Sequence, residues 1–223
     1  MSAITLRVLD GADRGRVFDE LSPPITIGRE EGNAIQLNDD RVSRFHVKIQ
    51  EDTEQLVLTD LESTNGTRVN GEDISIRILK FGDLITVGRS VLVFGSRDEI
   101  ADRLQTLRDS NPEGIDQLDS DEVELVANAS SLDFEIGWGD NEDIQATLHI
   151  LRPPDLPSRL TPGQAAQLSE IIEYLHIRVR RLLEGATETK DDKVSIDQRQ
   201  WQAIIDLQAL LSTYMRKIGD PDT

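Results

Sequence analysis

The chain has 223 residues, a formal net charge of -18 and no cysteine. Without thiols there are no disulfides and no thiolate metal sites, and the acid excess opposes binding to nucleic acid or to an anionic membrane. The N-terminus lacks a basic region followed by an apolar run, and no stretch approaches the roughly 20 apolar residues of a membrane helix, so a soluble cytoplasmic chain is expected.

Ile4 to Leu9 alternates apolar and polar side chains and reads as a strand, closed by the turn Asp10–Gly15. Short strands follow at Arg16–Phe18, Ile25–Ile27 and Ile35–Leu37, separated by Pro23-Pro24 and by Gly32-Asn33. Val47–Ile49 and Leu56–Leu58 read as a hairpin whose tip is the acidic stretch Glu51–Glu54. Asp60 to Gly71 reads as one long loop with two turn-forming pairs, Asn65-Gly66 and Asn70-Gly71. Ile74–Ile76 follows, then Leu84–Val87 and Val91–Phe94 as a last hairpin after the turn Phe81–Asp83. So many short strands with closely spaced turn signals predict an all-β sandwich or barrel.

Three loop clusters carry the chemistry: Gly28-Arg29, Ser43-Arg44-Phe45-His46, and Ser63-Thr64-Asn65-Gly66-Thr67 with Asn70-Gly71 beyond it. Standing alone, Arg29 reads better as a surface ion-pair partner for Glu30 or Glu31 than as a ligand group. Taken in order among short strands, together with Gly82-Asp83-Leu84-Ile85, the clusters resemble the forkhead-associated (FHA) domain over residues 3 to 97. That resemblance implies an FHA-type β sandwich of about eleven short strands that reads phosphothreonine peptides through loops at one end. A phosphate carries nearly two negative charges and several acceptor oxygens, which a guanidinium fork and hydroxyl donors satisfy. By resemblance Arg29, Ser43, Arg44 and Thr64 contact the phosphate and Asn65 holds the ligand main chain. His46 is expected to be a neutral structural prop for the serine loop. Gly28, Gly66, Asn70 and Gly71 are expected to set the backbone of the site.

From Asp98 to Leu107, apolar residues at helical spacing (Ile100, Leu104, Leu107) predict a short helix. Asp116 to Asp143 holds no lysine or arginine, so residues 98–160 read as an acidic linker, with disorder its default state. Within it, Phe134–Trp138 is a candidate docking motif, and Thr106 and Thr147 are candidate phosphorylation sites for recognition by the domain itself.

Thr161-Pro162-Gly163-Gln164 starts a helix with an apolar stripe from Leu168 to Leu183. Ser195–Gln198 is expected to cap a second helix, with an apolar face from Trp201 to Ile218. This small α-helical hairpin, residues 161–219, buries too little to stand alone, so a second copy, a partner protein or the sandwich is expected to cover it. The Arg178-Arg180-Arg181 cluster reads as a solvated face and last-turn dipole partner.

The domain organisation expected is therefore an FHA-like unit at 1–97, the linker at 98–160 and the hairpin at 161–219. The function expected is a phosphothreonine-peptide-binding adaptor in Ser/Thr kinase signalling, whose partner is a phosphorylated kinase or kinase substrate, with a homodimer through 161–219 as one use of the hairpin. The alternative is a structural, oligomerising scaffold that binds partners independently of phosphorylation. An enzyme is not expected, nor is any cofactor or metal. His149 and His176 lie in unrelated segments, and no glycine-rich nucleotide loop or carboxylate-histidine cluster occurs.

Overall fold

The computed structural model describes residues 3–110, 154–188 and 194–219. It divides into two compact units, the first made of residues 1–153 with 218–222 and the second essentially of residues 154–217. The first holds eleven strands in two sheets. One sheet has six strands in the order β2 (Val17–Leu21), β1 (Ile4–Asp10), β11 (Ser90–Phe94), β10 (Leu84–Val87), β7 (Thr67–Val69) and β8 (Glu72–Ile74). The other has five, in the order β4 (Ile35–Gln36), β3 (Ile25–Gly28), β5 (Val47–Asp52), β6 (Gln55–Asp60) and β9 (Ile76–Ile78). All pairs are antiparallel except β3 with β4.

Alternation places the core. Ile4, Leu6 and Val8 of β1 and Val47 and Ile49 of β5 are fully buried, while Arg7 and Lys48 between them are only partly so. They join Ile27, Leu58, Ile85, Leu92 and Phe94 in one core between the sheets. A fully buried aliphatic side chain is worth roughly 1.5–3 kcal/mol, so this face determines the register of every strand.

Three local readings need correction, the first being Ile74–Ile76, which is not one strand: Ile74 ends β8 in one sheet and Ile76 opens β9 in the other. The stretch Asp60–Gly71 is not one loop, because Thr67–Val69 pairs with both β8 and β10. Its short sequence hides a strand held on one side by the adjoining β8 and on the other by β10. The β5–β6 hairpin is longer than its apolar residues indicate, continuing to the pair Asp52↔Gln55. Glu51 and Asp52 are thus strand residues, and the tip is Thr53-Glu54, both at positive φ.

The helix expected after the sandwich is α1 (Arg97–Ser110). Ser96 and Glu99 cap it reciprocally, Ser96 Oγ accepting from Glu99 N and Glu99 Oε2 from Ser96 N. Ile100 and Leu104 are buried, and Arg103 donates to the carbonyl of Phe81 at 2.6 Å. These contacts pack the helix into the first unit.

Two buried carboxylates brace the loops. Asp13 accepts from Asn38 N (2.6 Å), Asn38 Nδ2 (2.7 Å) and Arg16 Nη1 (2.8 Å), and Asp39 accepts from Arg41 N (2.9 Å) and Arg89 N (2.6 Å). Burial works against their ionised forms, but these donors outweigh it and hold both carboxyls below the usual carboxylate range. Their native values are depressed. The stabilisation is therefore present above the ordinary carboxylate pKa and is lost as pH falls through the lowered native values. Asp13→Asn is expected to flatten the acid limb of stability, measured as urea midpoints from neutral to acid pH. An unchanged acid slope would refute this.

The second unit contains α2 (Pro162–Glu184) and α3 (Gln198–Gly219), joined through a two-residue ladder of β12 (Thr187–Glu188) and β13 (Val194–Ser195). Thr161 and Gln164 form the capping box at the start of α2, as their spacing predicts. At α3 the cap lies within the expected stretch Ser195–Gln198, at Asp197. Asp197 accepts from Gln200 N at 2.7 Å, and Gln200 Oε1 accepts from Asp197 N at 2.7 Å. Ser195 lies in β13, opposite Thr187. The candidate docking motif Phe134–Trp138 and Thr147 lie outside the described residues. Thr106 is in α1, its hydroxyl bonded to the carbonyl of Asp102.

Candidate functional site

The topology brings the three clusters together. Ile27 of β3 is paired with Val47 of β5, and Val47 with Asp60 of β6. Because these strands are antiparallel, the end of β3, the start of β5 and the end of β6 lie at one end of the sheet. Arg29, Ser43–His46 and Ser63–Asn65 occupy the loops there.

Backbone contacts seat Arg29 directly on the serine loop. Arg29 N donates to Ser43 O at 3.1 Å, and Glu30 N to Arg44 O at 3.3 Å. That approach requires glycine at position 28, where a Cβ would sit 2.1 Å from the carbonyl oxygen of Arg44. Asn33 clamps the same junction, its Nδ2 donating to Arg44 O at 2.8 Å and Glu30 O at 2.9 Å. Sequence reasoning took Asn33 only as part of a turn. Its signal was the preference of asparagine for bonding nearby main-chain groups.

The serine and threonine loops are joined by their own hydroxyls. Ser43 Oγ accepts from Thr64 N at 3.0 Å and lies 3.4 Å from Thr64 Oγ1. The Ser43 hydroxyl hydrogen is directed at Thr64 Oγ1, so the Thr64 hydroxyl hydrogen is the one left to donate outward. Asn65 Nδ2 donates to Arg41 O at 2.7 Å, which leaves its side-chain oxygen to accept from a ligand amide.

His46 is fully buried beneath this junction. Its Nδ1 accepts from Ser43 N at 3.0 Å, so in the neutral ring the hydrogen is on Nε2, which donates to Gly66 O at 3.1 Å. One imidazole thereby spaces the loop bearing Ser43 from the loop bearing Thr64. Asp60, which sequence reading did not single out, folds the second loop on itself: it accepts from Ser63 N and Ser63 Oγ at 2.7 Å and from Thr67 Oγ1 at 2.5 Å. The pattern Asp-x-x-Ser is its only sequence signal.

Of the expected backbone-setting residues, Gly66 adopts φ +74° within this loop. Asn70 and Gly71, at φ +54° and +79°, form the turn between β7 and β8. Asn70 is buried and tied to Asp83 Oδ1 (3.0 Å) and Leu84 N (2.8 Å). These bonds brace the β7–β8 turn against β10 and reach the site only through β7.

Arg29, Arg41, Arg44 and Arg68 are all exposed around this end. Arg44 Nε is 3.9 Å from Glu30 and Arg68 Nε 3.4 Å from Asp73, both solvent-exposed pairs of little worth. Arg29 makes no ion pair among the described residues, so Glu30 does not neutralise it. The arrangement puts exposed arginines and two hydroxyl residues on neighbouring loops, in a chain otherwise strongly acidic.

A family model described as the FHA domain matches residues 25–88. The chain is 36% identical over 92 residues to the FHA domain-containing protein FhaA of Mycobacterium tuberculosis, covering 41% of this chain and 17% of that one. It is 36% identical over 89 residues to an oxoglutarate dehydrogenase inhibitor of Corynebacterium efficiens, covering 40% of this chain and 63% of that one. The matched stretch therefore spans less than two thirds of either relative. A solved structure from work on phosphothreonine-dependent FHA domain interactions is 35% identical and covers 43% of this chain and 97% of the other, with a TM-score of 0.39.

Proposed function

Since the chain belongs to the FHA domain family, we propose that it is a cytoplasmic, non-catalytic adaptor in Ser/Thr kinase signalling that binds phosphothreonine peptides at the rim formed by Arg29, Ser43, Arg44, Thr64 and Asn65. The observation that carries this reading is the bond from Thr64 N to Ser43 Oγ, beside the seating of Arg29 on the carbonyl of Ser43. It joins three separate loops while Arg29 and Thr64 stay exposed and Ser43 partly so.

In this reading Arg29 meets two phosphate oxygens with its planar fork, Ser43 and Thr64 present their hydroxyls to the others, and Arg44 adds positive field. Asn65 Oδ1 accepts a main-chain N–H of the peptide and keeps the segment extended. His46 touches no ligand; it holds the two loops at the right separation. The partner is a phosphorylated kinase or kinase substrate. The helical hairpin supplies oligomerisation or partner docking. A regulatory rather than catalytic role agrees with the relative named as an inhibitor of oxoglutarate dehydrogenase.

The test is binding of a degenerate phosphothreonine peptide library, and of the same library unphosphorylated, to the full chain. Retention of the phosphorylated library alone is expected. Equal retention of both would favour the scaffold reading, in which the β domain binds without phosphate.

A further inference from the structure

The two helices of the second unit have almost no core of their own. No residue of α2 is buried, and Leu207 is the only buried residue described in α3. The seam between them is identified by the hollow that Arg178 and Leu182 of α2 share with Gln200 and Ala203 of α3, and by the bond from Gln200 Nε2 to Leu182 O.

A second apolar stripe runs beside that seam on each helix. On α2 it is Ile172, Val179 and Leu183; on α3 it is Trp201, Leu211 and Met215, and their exposures range from 37% to 70%. At 3.6 residues per turn each stripe lies about a quarter turn from the seam, in the same rotational sense when each helix is viewed from its own N-terminus. The helices are antiparallel, so both stripes face the same side of the pair. The hairpin is a two-helix layer with one wet apolar face.

Charge singles out the occupant. Residues 161–219 contain eight acidic and eight basic side chains, so the whole charge of -18 lies outside the hairpin. A strongly acidic or basic partner has nothing to recognise there, and two hairpins do not repel. Along the outer flank of the α2 stripe, Glu173 and Arg180 stand one heptad apart with opposite signs. A two-fold axis passing near His176 sets Glu173 of one copy against Arg180 of the other, twice, and carries Ile172 across to Val179.

We propose that this face is a homodimer interface: two hairpins stack their open sides about that axis into an antiparallel four-helix bundle. The bundle supplies each hairpin with the core it lacks. It also carries two β domains on one particle, which raises avidity for a doubly modified partner without any new contact. The interface stands on the hairpin alone and does not depend on what the β domain binds.

Sedimentation equilibrium of the full chain is expected to give twice the chain mass of 25.0 kDa. Val179→Glu is expected to give the single mass, with helix content retained by circular dichroism. Glu173→Arg and Arg180→Glu, each turning two attractive pairs repulsive, are expected to raise the dimer dissociation constant roughly tenfold. The double variant Glu173→Arg/Arg180→Glu restores the original constant. A single-chain mass throughout the micromolar range, or a double variant no tighter than the single ones, overturns the proposal.

Discussion

Arg29→Ala is expected to weaken binding of a phosphothreonine peptide to the full chain by at least about 2 kcal/mol, roughly thirtyfold in dissociation constant. The guanidinium is exposed and free of ion pairs among the described residues, so little of its interaction is already spent within the protein. Losing a charged bidentate donor leaves a doubly charged ligand with hydroxyl donors and Arg44 alone. Folding stability should stay within about 0.5 kcal/mol of the parent, because no buried contact is removed. Arg29→Lys should recover only part of the affinity, since an ammonium keeps the charge but not the planar fork. Titration calorimetry alongside urea unfolding separates the two effects. Parent-like affinity in Arg29→Ala would remove the phosphate from the reading of this rim.

His46→Ala tests the support rather than the contact. The ring is fully buried and accepts from Ser43 N while donating to Gly66 O. Its loss orphans an amide and a carbonyl, each costing roughly 1–3 kcal/mol when left unpaired out of reach of water. It also opens a cavity beneath the loops. A destabilisation of about 3 kcal/mol is expected, with weaker phosphopeptide binding although the side chain never reaches the ligand. Amide hydrogen exchange supplies the decisive readout, with protection at Ser43 falling more than at core amides such as Ile85. Equal loss of protection at both positions would mean that His46 serves general packing instead.

Much of the molecule was legible in the chain itself, for local reasons. Alternation marks β1 and β5 because one face of each strand is buried and the other is not, a contrast written every second residue. The α2 cap is a short-range exchange between Thr161 and Gln164, so its spacing alone predicts it. The loop clusters were legible because their turns demand glycine and asparagine and their cationic and hydroxyl residues stand in a recognisable order.

What escaped has a common cause. β7 is polar and only three residues long; its strand character comes from β8 and β10, which follow it in the chain. Within Ser195–Gln198 it is Asp197 that caps α3, while Ser195 lies in the two-residue ladder with β12. Asp60 and Asn33 look like ordinary turn residues until the groups they bind come near them. In the same way, the open face of the helical hairpin exists only once both helices are paired and the seam is known.

Sequence by itself determined the alternating faces, the helix starts and the set of cationic and hydroxyl groups offered, since each depends on neighbours within a few residues. Tertiary structure alone decided that Arg29, Ser43 and Thr64 share one rim. Their backbones are drawn together by the pairing of β3, β5 and β6 and by a buried imidazole between loops some twenty residues apart. Such contacts are set by the packing of the whole core, and no window of sequence contains them.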